Sequence, residues 1–182
     1  ELRPALAHHG ICIVGVDDVG PEERRALDDR FRHQIFPVLT PLAVGLGRPF
    51  PYISNLSLSL AVLVRDPETR EQRFARLKVP TNLPRFVVMP DGERFVAVEQ
   101  LMAAHLDTLF PGMEIEEHDT FRVTRNADVT LEDEEETDDL LAAVELELRR
   151  RRFGRAGWLD SGSSLTARCI CGWSRALCGP DT

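Results

Sequence analysis

LSLSLAVLVRDPETREQRFARLKV, Leu56 to Val79, is the stretch that decides the fold of this chain. Its first nine residues set Ser57 and Ser59 between apolar neighbours, and Arg73 to Val79 alternates again. That two-residue period belongs to strands with one face turned to a core. Between the two runs, Asp66-Pro67-Glu68-Thr69 supplies turn chemistry: an aspartate able to accept bonds from the backbone just ahead of it, and a proline whose φ is already set. The stretch therefore predicts an antiparallel hairpin. Downstream, Arg85 to Met89 and Glu93 to Val96 flank Pro90-Asp91-Gly92, a second hairpin signal. Upstream, Gly10 to Val16 (GICIVGV) is an apolar run between a glycine and Asp17-Asp18, and reads as a further strand.

Helices fill the intervals. Gly20-Pro21-Glu22-Glu23 opens one, with proline where its missing N–H costs little and acids at the positive end of the helix dipole. Leu27, Phe31 and Ile35 give it one buried face, and Pro37 ends it. From Phe36 to Asn55, prolines at 37, 41, 49 and 51 predict an ordered, extended connection. A second helix carries Val98, Leu101, Met102 and Leu109 on one stripe and stops at Pro111-Gly112. Glu114 to Thr124 is mixed, with a strand-like end at Thr120 to Thr124. A third helix is expected from about Glu134 to Arg152, packing through Leu140, Leu141, Val144 and Leu148, with acids at its start and Arg149 to Arg152 at its end. The pattern is α+β: an antiparallel sheet with covering helices.

Composition narrows the function classes. A chain of 182 residues, 43% hydrophobic and 29% charged, has room for one ordinary domain. No apolar run is long enough to span a bilayer and no signal-peptide layout opens the chain, so a cytoplasmic protein is expected. The net charge of −8 argues against nucleic acid as a partner and confines any polyanion contact to a local patch. No phosphate loop of the G-x-x-x-x-G-K-[ST] type occurs. The histidines, His8, His9, His33, His105 and His118, have no metal-ligand spacing and read as surface or core-edge residues, with His105 at a core edge. The acidic run Glu132 to Asp139 reads as a solvated helix start, and Arg149 to Arg152 as a complement to the helix dipole.

The last 28 residues depart from the rest. From Arg155 to Thr182, 22 residues are Ala, Gly, Pro, Arg, Ser, Thr, Cys or Trp, against 14 of the 42 residues from Met113 to Gly154. Those amino acids have G or C at the second codon position. The chain also uses one lysine against 21 arginines, the bias of GC-rich coding DNA. A slipped frame would carry G and C from third into second positions, so residues 155–182 read as an out-of-frame tail. Both tryptophans and three of the four cysteines (Cys169, Cys171, Cys178) lie in it, at no familiar zinc spacing. Cys12 alone gives no disulfide framework.

Six collinear words carry a family resemblance: FPVLTPLAV (Phe36 to Val44), FPYISNLSLSLAV (Phe50 to Val62), KVPTNLPRFV (Lys78 to Val87), HLDTLFPGM (His105 to Met113), FRVTRNAD (Phe121 to Asp128) and ELRRRRFG (Glu147 to Gly154). In order and spacing they resemble the first family of bacterial polyphosphate kinases, over about residues 3 to 154. The resemblance implies residues 1–9 as the end of a preceding helical domain, 10–154 as the family's head domain, and 155–182 as the aberrant tail. It implies an enzyme that reversibly moves the terminal phosphate of ATP onto polyphosphate through a phosphohistidine, with magnesium. The phosphorylated histidine and the magnesium-binding arginines belong to domains further along, and the adenine-contacting asparagine lies upstream. No residue here inherits a catalytic, cofactor-binding or metal-binding role, and the segment alone is expected to be inactive.

What the resemblance does imply for this segment is contact within a homo-oligomer, a dimer, and help in shaping the channel for the polyphosphate chain. Gly45-Leu46-Gly47-Arg48 departs from the family's Asp- and His-bearing connection. After Gly154 the family continues with a strand of the V-R-L-E-V type, which this chain lacks, so one sheet edge is expected to stand unpaired. The other reading is a free-standing interaction module that binds a full-length kinase or polyphosphate. Arg85, Arg122 and Arg125 are the candidate polyanion contacts, with surface salt pairing as the competing account.

Overall fold

The computed structural model describes residues 2–44, 53–125 and 156–161. The hairpin foreseen at Leu56 to Val79 is its centre. Strands β3 (Leu58–Arg65) and β4 (Gln72–Lys78) pair antiparallel, Leu60 opposite Leu77 and Val62 opposite Ala75. In the turn between them, Asp66 Oδ1 accepts the backbone N–H groups of Glu68 and Thr69 at 2.8 and 3.1 Å, the forward bonding that favours aspartate there.

Two further strands extend this sheet on the side of β3 away from β4. β7 (Glu114–Arg125) pairs antiparallel with β3, and β8 (Ala156–Ser161) pairs antiparallel with β7. On the other side β2 (Pro41–Val44) pairs with β4, so the order is β2-β4-β3-β7-β8. A smaller sheet, β1-β6-β5, holds β1 (Cys12–Val14), β6 (Arg94–Ala97) and β5 (Phe86–Val88). The larger sheet buries one face against α2 (Pro21–Arg30) and its continuation through a π turn (Phe31–Ile35), and against α3 (Val98–Ala103) and α4 (Leu106–Leu109). Leu27, Phe31, Leu60, Val62, Leu77, Val96, Leu101 and Met102 form this main core. Ile53, Ala61, Phe121 and Val123 make a second, smaller core, with Phe74 and Leu159 packed on it.

The α+β architecture is as the sequence predicts, and five details differ for identifiable reasons. β1 runs parallel to β6, so the small sheet is mixed rather than purely antiparallel. The proline-rich connection from Phe36 contains β2. It is an edge strand that begins on Pro41, where a missing N–H is tolerated. The second helix breaks in two at His105, whose Nδ1 donates to the Leu101 carbonyl at 2.9 Å. That carbonyl would accept the His105 backbone N–H in a continuous helix, and the N–H instead reaches back to Met102 O at 3.2 Å.

β7 covers the whole of Glu114 to Arg125, because its acids are matched: Arg65 binds Glu114 at 2.9 Å and Glu116 at 2.8 Å from the neighbouring strand. Last, the expected unpaired edge is filled. Ala156–Ser161, inside the segment read as an out-of-frame tail, forms β8. Sheet pairing is made by backbone groups, and the apolar Leu159 falls opposite Val123, where it packs on the second core. The third helix, from Glu134 to Arg152, the Gly45–Arg48 departure and the tail cysteines lie outside the described residues. Among the described residues no helix is long and apolar enough to cross a membrane.

Candidate functional site

The structure does not gather the three candidate arginines. Arg85 stands just before β5 in the small sheet and donates through Nη2 to Glu99 Oε1 of α3 at 2.6 Å. That pair ties the small sheet to the helix, since the Val98 N–H also reaches Arg85 O at 3.0 Å. Arg122 is exposed in β7 and has Asp160 of β8 directly opposite in register, an arrangement in which a carboxylate faces a guanidinium across the strands. Arg125 closes β7, opposite Ala156.

A cleft of about 400 Å³ opens where the 3-10 turn Val16–Asp18 and α2 meet α3, with His118 of β7 on its wall. A neighbouring hollow of about 260 Å³ continues between α3 and β7, past Glu99, Gln100, Asp119 and Thr120. Helix packing explains the gap: Ala103 and Ala104, the two residues just before the break at His105, present small side chains, so the end of α3 leaves space above β7.

The charges around the cleft are already matched. Arg24 donates to Asp28 Oδ1, to Asp17 Oδ1 and to the Val16 carbonyl, at 3.3, 3.3 and 3.2 Å. Asp28 also faces His105 Nε2 at 3.0 Å, and the imidazole stacks on Phe31 with ring centroids 4.0 Å apart and planes 12° from parallel. His105 is thus the core-edge histidine the sequence suggests, one member of a polar chain linking α4 to α2 and the Val16–Asp18 turn. Glu99 Oε2 and Gln100 Oε1, on residues that line the neighbouring hollow, are buried without a hydrogen-bond partner among the described residues. An anion would meet those oxygens rather than an unpaired cation.

A second network ties α2 to the small sheet. Arg94 of β6 bonds Glu23 in the first turn of α2 and Asp91 in the turn before it. The Arg94 guanidinium, and after it the Gly20 backbone N–H, hold the Glu23 carboxyl below its ordinary range. Asp91 is lowered by the Arg94 backbone N–H and then by the same guanidinium. Arg94 itself is raised by its two carboxylates. Sequence reading missed this link, since Glu23 and Arg94 are 71 residues apart. It also missed Arg76, 4% exposed in β4, whose Nε donates to Ser59 Oγ at 3.2 Å and whose pKa falls with burial. Strand alternation marks Arg76 as facing away from Leu77 and the main core, but cannot say that this second face is covered too.

Among the described residues no three His, Cys, Asp or Glu side chains converge as a metal site. The donor chemistry agrees. Asp17 and Asp28 share Arg24, and Glu23 and Asp91 share Arg94, so these carboxylates are spent on guanidinium groups and do not fit a magnesium ion.

Comparison with known proteins gives a consistent picture. Residues 22–170 match the family profile described as the polyphosphate kinase middle domain. The polyphosphate kinase of Streptomyces coelicolor is 54% identical over 154 residues, covering 85% of this chain and 20% of that protein. That of Thermosynechococcus vestitus is 51% identical over 162 residues, covering 85% and 22%. The polyphosphate kinase of Mycobacterium avium is 50% identical over 177 residues, covering 91% and 24%. The chain therefore spans between a fifth and a quarter of the length of these relatives. In fold it is similar to the crystal structure of polyphosphate kinase from Porphyromonas gingivalis, with a TM-score of 0.72 at 23% identity over 97% of this chain and 25% of that one.

Proposed function

The chain belongs to the polyphosphate kinase family, and from that premise we propose that it is the head module of such an enzyme, supporting phosphoryl transfer without performing it. The observation that carries the reading is the match of residues 22–170 to a domain named for its middle position, in relatives four to five times as long. On this reading the whole enzyme moves the terminal phosphate of ATP reversibly to polyphosphate through a phosphohistidine. ATP and magnesium are held by the rest of the polypeptide, in keeping with carboxylates here that are occupied by arginines. Phosphoryl transfer is catalysed by positioning and charge neutralisation, so a module that fixes subunit contacts and the walls of a channel contributes without touching the reacting atoms.

The test is incubation of the chain with γ-labelled ATP, magnesium and a polyphosphate primer, beside a full-length relative. The expected result is polyphosphate and acid-labile phosphohistidine from the relative and neither from the chain. Turnover by the chain alone would overturn the reading.

A second reading, an interaction module that itself binds polyphosphate, draws on the exposure of Arg122 on the long strand β7. Arg125 shares that strand, whereas Arg85 is engaged with Glu99. Retention of the chain on immobilised polyphosphate that falls with salt and weakens in Arg122→Ala supports it. Retention equal to that of a neutral control protein removes it.

A further inference from the structure

The small sheet has two apolar faces and only one of them enters a core. On the inner face Val14, Val96 and Val87 stand in one cross-strand row inside the main core. On the outer face the next row is Ile13, Phe95 and Val88, flanked on β5 by Phe86. None of these four belongs to either core: Ile13 and Phe95 are half-buried, while Val88 is 46% and Phe86 37% exposed. An apolar sheet face left in part to water marks an interaction surface.

The chain's own path says what arrives there. The family profile begins at residue 22, yet β1, at 12–14, is already paired parallel with β6 of the middle domain. The chain thus enters this sheet at its edge, ahead of the residues that the profile matches. Immediately before β1, helix α1 (Leu2–His8) leaves all its described side chains exposed except the half-buried Leu6. A helix of seven residues does not hold in water on propensity alone and needs an apolar partner.

We infer that the outer face of β1-β6-β5 is the seat on which the polypeptide preceding the middle domain packs in the intact enzyme, with α1 as the first part of it to arrive. The inference rests on the family reading above. The occupant it specifies is an apolar protein surface from the same chain.

Hydroxyl-radical footprinting of two forms tests it: the 182-residue chain, and a fusion in which the segment ahead of the middle domain of the Streptomyces coelicolor relative is joined before Glu1. Leu42 and Leu56, exposed at 42% and 56% in or beside the larger sheet, serve as internal controls. Oxidation of Phe86 and Val88 is expected to fall roughly fivefold in the fusion, the ratio of their exposure to that of side chains at the margin of the core, with the controls unchanged. Unchanged oxidation of Phe86 and Val88 in a folded fusion, or protection of Leu42 and Leu56 in their place, overturns the seat while leaving the family reading intact. Protection that appears in the chain alone as its concentration rises makes a second copy the occupant and overturns it also.

A second measurement does not depend on the fusion. Phe86→Ser with Val88→Ser is expected to lower the melting temperature of the 182-residue chain by less than a core substitution such as Leu101→Ala, because Val88 is 46% and Phe86 37% exposed whereas Leu101 is fully buried. A fall comparable to that of a core substitution shows the face already covered and overturns the inference.

Discussion

Whether β8 is a working strand can be decided by one backbone substitution, Asp160→Pro. In the β7–β8 register Arg122 stands opposite Asp160, and Val123 opposite Leu159. The Val123 carbonyl accepts the Leu56 N–H at 2.8 Å, so the backbone groups of Val123 point toward β3. By the alternation of an antiparallel ladder, those of Arg122 point toward β8, and the bonds between the two strands run through Asp160 and not Leu159. Proline at 160 removes an N–H from that ladder, worth about 1 kcal/mol net, and leaves a carbonyl of β7 without its donor, which costs about 1–2 kcal/mol more where water reaches it poorly. A total of about 2–3 kcal/mol corresponds to roughly 5–10 °C in melting temperature for a chain of this size.

Urea unfolding followed by circular dichroism measures the loss, with Asp160→Ala as the control. Alanine removes the same exposed carboxylate and keeps the N–H, so it is expected to cost only about 0–1 kcal/mol. Leu159→Ala adds a packing arm: a half-buried leucine on the second core is worth about 1 kcal/mol. Equal midpoints for the proline and alanine variants would refute the pairing of β8 with β7.

Two other outcomes follow from the Arg94 network and the turn beside it. Glu23 and Asp91 both have folded pKa values lowered by Arg94 and by backbone N–H groups, from ordinary values of 4.5 and 3.8. Their contribution is complete above those unfolded values and is lost as pH falls through the lowered folded ones. Arg94→Met should therefore reduce the loss of stability between neutral pH and about pH 3, read as a smaller shift in urea midpoint. An identical shift in both proteins would show that the pairs contribute nothing. At Gly92, φ is +75° and an added Cβ meets nothing within 4 Å, so Gly92→Ala tests backbone strain alone, expected at about 1 kcal/mol by thermal unfolding. A stabilised variant would contradict the left-handed conformation.

The parts of the fold legible in the sequence are those set by local chemistry. Alternation around Ser57 and Ser59, the Asp66 turn and the Pro90-Asp91-Gly92 turn each specify their structure within a few residues, and the structure has them where they are read. The misread parts depend on partners distant in sequence. Glu114 and Glu116 look unsuited to a strand until Arg65, about 50 residues earlier, is placed beside them. Pro41 looks like a breaker until β2 is known to lie at an edge. Residues 155–182 look foreign by composition, yet the pairing of Ala156–Ser161 with β7 asks only for an extended backbone and one well-placed apolar residue.

The same distinction governs the site. Arg85, Arg122 and Arg125 stand out in a list of cations, but the effect of a cation depends on which acids the fold sets beside it. Glu99 approaches Arg85 from a helix that begins only after the second hairpin has closed, and Asp160 approaches Arg122 from a strand at the far edge of the larger sheet. The paired charges around Arg24 and Arg94 likewise hold α2 to the Val16–Asp18 turn and to β6. A module that spends Arg24, Arg65, Arg85 and Arg94 on its own carboxylates, and that leaves part of an apolar sheet face to water, is suited to holding protein against protein.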